Sequence, residues 1–118
     1  MFSTILVSDL TKFALAEEAG LKLRKKILEM WDKYDNIIVD FKNINIFATP
    51  FFNYSLGYCI LNFGPDDYSK KITVINLNVL GEETYKHSID NAIEFYSKKV
   101  NVEEVANITQ KTIAESEL

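Results

Sequence analysis

Residues 36–63 read NIIVDFKNINIFATPFFNYSLGYCILNF, and this stretch decides the fold. Three consecutive β-branched residues between polar flanks predict a strand over residues 36–41 that is covered on both faces, as in the centre of a parallel sheet. Farther along, Thr49 and Pro50 mark the start of a helix. The threonine hydroxyl can cap free backbone N–H groups, and proline lacks the N–H that a first turn cannot use. We expect this helix to extend from about residue 51 to residue 63.

The flanking sequence continues the alternation of strands and helices. Hydrophobic periodicity predicts a strand at residues 3–9, a helix at 16–34, a turn at 64–67, a strand at 71–80 and a helix at 83–98. This order predicts an α/β fold over residues 4–100, with a largely parallel or mixed sheet of about four strands covered by three to four helices. Hairpin pairing near the N-terminus would supply the extra strand. Residues 101–118 carry a weak apolar stripe and are expected to form a docked helix or a flexible tail.

The composition is that of one globular domain. The chain has 118 residues, of which 47% are hydrophobic and 25% charged, and a chain of this size buries roughly two thirds of its unfolded surface without needing disulfides. Its net charge of −4 disfavours nucleic acid as the main partner. The first residues do not show the charged start and long apolar centre of a secretory signal, so no secretion signal is expected. The sequence also lacks an uninterrupted span of about 20 apolar residues, so no membrane segment is expected. A lone cysteine fits a cytoplasmic location.

The sequence offers no catalytic or cofactor-binding constellation. Metal sites need several Cys, His or carboxylate ligands at workable spacings, whereas this chain has one cysteine and one histidine. We interpret Cys59 as a small buried hydrophobe and His87 as a surface residue. The four glycines never cluster into a phosphate-binding loop. We therefore expect no enzyme activity, no metal and no cofactor.

Polar residues lie at and just after the ends of two of the predicted strands, where parallel sheets usually bind ligands. They are Asp40, Asn43, Asn45, Asn76 and Asn78. One interpretation is a rim that binds a small ligand or nucleotide. The other is that these residues stabilise loops, since aspartate and asparagine are favoured in turns.

The helix predicted at residues 51–63 is apolar on two opposite faces. On a helical wheel, one face holds Phe52, Leu56, Cys59, Ile60 and Phe63, and the other holds Phe51, Tyr54, Tyr58 and Leu61. Only one face of a helix can meet a sheet. The second stripe therefore meets a neighbouring helix, the C-terminal segment, a protein partner or a second copy of the chain. Aromatic residues of this kind dominate many interfaces, so we expect this stripe to bind a protein partner.

The segment IIVDFKNINIFATPFFNYSLGYCI, with the preceding EEAGLKLRKKI, resembles the STAS-like domains, relatives of the anti-sigma-factor antagonists. The likeness covers about residues 4–98 and is carried by the strand Ile38-Val39-Asp40-Phe41, the apolar Ile44 and the helix start at Thr49-Pro50. It is nearest to a little-characterised bacterial branch with a Val-Asp-Phe strand and a Thr-Pro-x-Phe helix start. The resemblance implies a sheet covered by helices that acts as a switchable binding module rather than an enzyme.

The resemblance also implies a partner and a switch. The best-known partners of such domains are serine kinases with a histidine-kinase-type ATP fold, which phosphorylate a Ser or Thr at the start of the second helix. At that place the antagonists usually read Asp-Ser-Ser-Gly, whereas this chain has Ala48, Thr49, Pro50 and Phe51. Thr49 is the only hydroxyl left and is the candidate phosphorylation site. Helix capping is the alternative role for this threonine.

Overall fold

Three parallel strands form one sheet in the order β1–β2–β3. In this computed structural model, which describes the backbone of residues 1–117 and the side chains of residues 1–99, the strands are β1 (Phe2–Leu6), β2 (Asn36–Asp40) and β3 (Ile72–Ile75). Thr4 lies beside Ile38, which in turn lies beside Thr73. The predicted α/β class is confirmed. Within the described backbone the sheet has three strands rather than about four, because β1 pairs only with β2.

In the backbone of residues 1–117, five α-helices and one π-helical segment connect and cover the strands. They are α1 (Glu17–Met30), α2 (Thr49–Phe52), a π-helix (Asn53–Gly57), α3 (Tyr58–Phe63), α4 (Pro65–Lys71) and α5 (Val79–Glu117), with a short 3₁₀ turn at Val7–Asp9. The prediction that residues 101–118 form either a docked helix or a flexible tail concerns side chains outside the described residues.

Among residues 1–99, whose side chains are described, the helices cover one face of the sheet. On that face Ile5, Ile37, Val39 and Ile72 are buried. On the opposite face Thr4 and Thr73 are exposed, and Ile38 between them is half-buried. The expectation that β2 is covered on both faces was therefore wrong.

Several element boundaries differ from the predicted ones, and α1 ends at Met30 rather than at residue 34. Gly64 ends α3 with φ 91°, a left-handed conformation that glycine adopts without strain, and Pro65 then starts α4 where only a turn was expected. Strand β3 stops at Ile75 because Asn76 takes φ 62°. Helix α5 begins at Val79, four residues before the predicted start.

Aromatic rings form the centre of the core. The ring of Phe41 lies 6.1 Å from Phe51 and 5.7 Å from Phe52, and Phe47 stacks on Phe52 at 6.0 Å. At the end of α3, Phe63 stacks on Trp31, the residue that follows α1, at 3.7 Å. These contacts fix the helical segment of residues 49–63 between the sheet and α1.

Candidate functional site

The segments α2, π and α3 follow one another without a break and form a single element, the central helix, over residues 49–63. Its middle turn is π-helical, a geometry found frequently at functional sites. From this turn the Ser55 hydroxyl donates to the carbonyl oxygen of Phe51 in α2 at 2.8 Å. On the side of α5, the Ser88 hydroxyl donates to the Asn53 side-chain oxygen at 2.5 Å.

Helix α1 packs so closely on the central helix that part of the predicted second stripe is buried. Phe51 is 0% exposed and belongs to the core, so its predicted role as a partner-binding residue was wrong. The close approach occurs at Gly20, where an added Cβ would lie 2.6 Å from the Phe51 carbonyl oxygen. Tyr54 and Leu61 remain exposed. Tyr58 is half-buried beneath the Arg24 guanidinium, which lies 4.0 Å from the centre of the ring.

The start of the central helix is held beside the loop that precedes α1. The Ala48 N–H donates to the Ala14 carbonyl at 2.8 Å, and the Ala14 N–H donates to the Ile46 carbonyl at 3.0 Å. Ala48 occupies the cap position and makes no side-chain hydrogen bond there. Thr49 is instead the first helical residue and is half-buried, so the expectation that it caps the helix was wrong.

Exposed apolar side chains occur on the segments that meet at this helix start. They come from the loop before α1, the loop before α2 and the first turn of α5, and we call them the rim patch: Phe13, Leu15, Ile46, Val79 and Leu80. A hydrogen bond of 3.3 Å from the Asn78 side-chain amide to the Asn45 carbonyl links two of these segments. Val79 is the most exposed member, at 74%.

Sequence reasoning missed the rim patch for an identifiable reason. Val79 and Leu80 were assigned to a buried strand at residues 71–80, because an apolar run reads alike in a strand and in a helix start. The signal that could have separated the two is Asn78, a favoured N-cap residue. Its side-chain oxygen accepts from the Gly81 N–H at 2.7 Å and fixes the start of α5.

The polar residues of the predicted ligand rim are engaged in loop contacts. One carboxylate oxygen of Asp40 accepts from the Lys42 N–H and from the Asn76 side-chain amide, both at 2.9 Å. Asn43 has φ 68° and Asn76 has φ 62°, a conformation that asparagine tolerates better than most residues. These geometries agree with the loop-stabilising interpretation.

Titratable side chains in the core are kept neutral. Burial raises the pKa of the Cys59 thiol to about 12, with Arg24 opposing the shift weakly, so the thiolate needed of a nucleophile does not form near neutral pH. Burial also raises the pKa of Tyr68 and of Tyr85, whose hydroxyl groups lie 2.6 Å apart. His87 is exposed, as predicted.

Two further findings concern the whole described part of the chain. No group of three or more potential metal ligands occurs among its residues. None of its helices combines the length and the apolar character that crossing a membrane requires.

Comparison with known families identifies the fold. A family model described as a STAS-like domain of unknown function (DUF4325) matches residues 19–82, which contain most of α1, β2, the central helix, α4 and β3. The chain belongs to this STAS-like family. Comparisons with curated proteins and with solved structures gave no match. STAS-like domains are generally non-enzymatic, and at this coarse level the chain is a regulatory protein-interaction module.

Proposed function

We propose that this STAS-like domain is a partner-switching module that binds an ATPase or kinase of the histidine-kinase-type fold. The docking surface consists of the rim patch, the start of the central helix and the outer residues Tyr54, Tyr58 and Leu61. The observation that carries the proposal is the position of the rim patch, whose exposed apolar side chains occur on the segments that meet at the helix start that holds Thr49.

The exposure of these side chains favours a protein partner. Exposed apolar side chains that gather in one region of a protein surface mark interaction sites. No charged residue occurs between Asn43 and Pro65, so the charge that lies on the outer stripe comes from Arg24 of α1, whose guanidinium covers Tyr58. A matching partner surface is apolar at its centre and polar at its edge.

Phosphorylation of Thr49 would act as the switch. Near the positive end of the central helix an exposed phosphate is stabilised by roughly 0.3 to 1 kcal/mol. The same phosphate adds about −1.5 to −2 charges beside the apolar rim patch and opposes burial of that patch against a partner. The unmodified protein therefore binds its partner, and the protein phosphorylated at Thr49 releases it.

Calorimetry with a histidine-kinase-type ATPase encoded next to this protein tests the docking surface. Val79→Asp places a carboxylate in the first turn of α5, where the helix dipole favours it, and therefore leaves the fold intact. We expect this variant to bind roughly tenfold more weakly or worse. Phe95→Asp is the matched control, because Phe95 is also on α5 and is 61% exposed but lies outside the docking surface. Equal affinities for the two variants would refute the assigned surface.

The switch is tested separately with two substitutions at one position. Thr49→Glu introduces negative charge at the helix start and is expected to weaken partner binding, whereas Thr49→Ala is expected to bind normally and to resist phosphorylation by the partner kinase. Normal binding by Thr49→Glu together with absence of phosphate transfer to wild type would remove the switch and leave the docking surface standing.

A further inference from the structure

Strand β1 has an outer edge that no other described element pairs with. The Met1 carbonyl accepts from the Asp35 N–H at 2.9 Å, so the odd-numbered residues of this strand direct their backbone groups toward β2. Because the direction alternates along a strand, Phe2, Thr4 and Leu6 direct their N–H and C=O groups to the free edge.

Nothing in the sequence of β1 protects this edge. Natural edge strands are usually blunted by charged residues, proline, bulges or a covering element. The strand FSTIL has no charge and no proline. It also exposes Phe2, a large aromatic residue, at 66%.

The other edge of the sheet is less available. The Ile75 carbonyl accepts from the Phe41 N–H at 3.0 Å, so Thr73 and Ile75 direct their backbone groups toward β2. In β3, only Ile72 and Val74 direct backbone N–H and C=O groups to the free edge. Helix α4 ends at the residue before this strand, so little edge is left for another strand to pair with. Strand addition is therefore expected at β1.

We propose that β1 pairs antiparallel with β1 of a second copy of this chain, so that the two sheets form one continuous sheet of six strands. The two-fold axis passes between the two Thr4 residues. With Thr4 at the centre of β1, this register pairs all five residues of one strand with all five of the other. In this register Phe2 of one copy lies beside Leu6 of the second copy, on the outer face of the sheet. Symmetry repeats that aromatic–aliphatic pair, which is a stabilising cross-strand contact.

The size of the contact sets the expected strength of the dimer. Pairing of two five-residue strands buries far less than the about 1,200 Å² of a standard interface, so the dimer is weak and its population depends on concentration. A second copy of the chain is a suitable partner for this edge, because two uncharged β1 strands pair without electrostatic repulsion. The contact lies in β1, outside the docking surface, so the proposal stands independently of the proposed function.

Cross-linking tests the pairing at one residue. In a Thr4→Cys variant the new thiols of two copies lie opposite each other, about 5 Å apart at Cβ, within reach of a short bis-maleimide. Thr73→Cys is the matched control, because Thr73 is an exposed threonine on the same face of the sheet, at the other edge. The native Cys59 is buried and does not compete. We expect a cross-linked dimer for Thr4→Cys alone; equal yields from both variants, or none from Thr4→Cys, would overturn the proposal.

Sedimentation gives an independent readout on unlabelled protein. Wild type is expected to shift from monomer to dimer as the protein concentration approaches the millimolar range. A lysine on the edge strand opposes pairing, so Thr4→Lys should stay monomeric while Thr73→Lys behaves like wild type. Circular dichroism checks that both variants are folded. A wild-type protein that remains monomeric throughout this range contradicts the dimer.

Discussion

Gly20 and Gly57 allow the central helix to lie between two neighbouring helices. An added Cβ at Gly20 would meet the Phe51 carbonyl oxygen at 2.6 Å, whereas one at Gly57 would lie 3.6 Å from the Ser88 hydroxyl oxygen of α5 and 3.2 Å from the Phe52 carbonyl oxygen of its own helix. Both positions are helical, so alanine gains up to about 1 kcal/mol of helix propensity at either one. The difference between the two variants in free energy of unfolding therefore measures the cost of the closer steric contact at Gly20.

We expect Gly20→Ala to lower the free energy of unfolding by about 1 to 3 kcal/mol, because backbone must move to relieve the overlap. Gly57→Ala is the control and should lose less. Urea denaturation followed by circular dichroism measures both. A Gly20→Ala protein as stable as wild type would mean that α1 lies farther from the central helix than described.

Cys59 is expected to be unreactive in the folded protein. Its side chain is fully buried and its pKa is about 12, so both access and thiolate formation are suppressed. An Ellman's-reagent assay should find no reactive thiol at neutral pH and one thiol after denaturation. Rapid reaction of the native protein would contradict the burial of the central helix against the sheet.

At the scale of elements, Asn78 determines where α5 starts. Its side-chain oxygen satisfies the Gly81 N–H, and loss of such a cap costs about 0.5 to 2 kcal/mol. We expect Asn78→Ala to lose stability in this range and Asn78→Asp, which keeps the accepting oxygen, to lose little. Thermal unfolding of the two variants tests this, and equal losses would argue against the cap.

The sequence predicted the alternation of elements because that information is local. The β-branched run of β2 and the periodicity of α1 identify those elements without knowledge of their neighbours. Helix α4 was missed because Pro65 and two aspartates are equally typical of a turn. The burial of Phe51 depends on how closely α1 approaches at Gly20, a tertiary distance that periodicity does not contain.

The same reasoning explains which parts of the candidate site were predicted. Tyr54, Tyr58 and Leu61 could be predicted as members of the candidate site because their stripe faces away from the sheet-facing residues of the same helix. The rim patch could not be found in this way, since it combines residues from three separate segments whose proximity depends on hydrogen bonds such as that from Asn78 to Asn45.

At the scale of the whole molecule, the paired tyrosines make stability depend on alkaline pH. Burial raises the pKa of Tyr68 and Tyr85 above the unfolded value of about 10, so the folded state holds these protons more tightly than the unfolded state. Their contribution to stability is fully present below about pH 10 and is lost as the pH rises toward the folded-state pKa values.

We therefore expect the free energy of unfolding to fall above about pH 10. Spectroscopic titration of phenolate should show two of the six tyrosines ionising only as the protein unfolds. Tyr85→Phe removes one of the two groups and should make the decline shallower. A stability that stays constant through this pH range would contradict the burial of the pair.

The docking surface is tested most directly by nuclear magnetic resonance, with the unlabelled ATPase titrated into the isotope-labelled protein. The account predicts that amide shifts concentrate at residues 13–15, 46–54 and 79–80, around the start of the central helix. Shifts confined to α4 and the middle of α5, or no shifts at saturating partner, would contradict it.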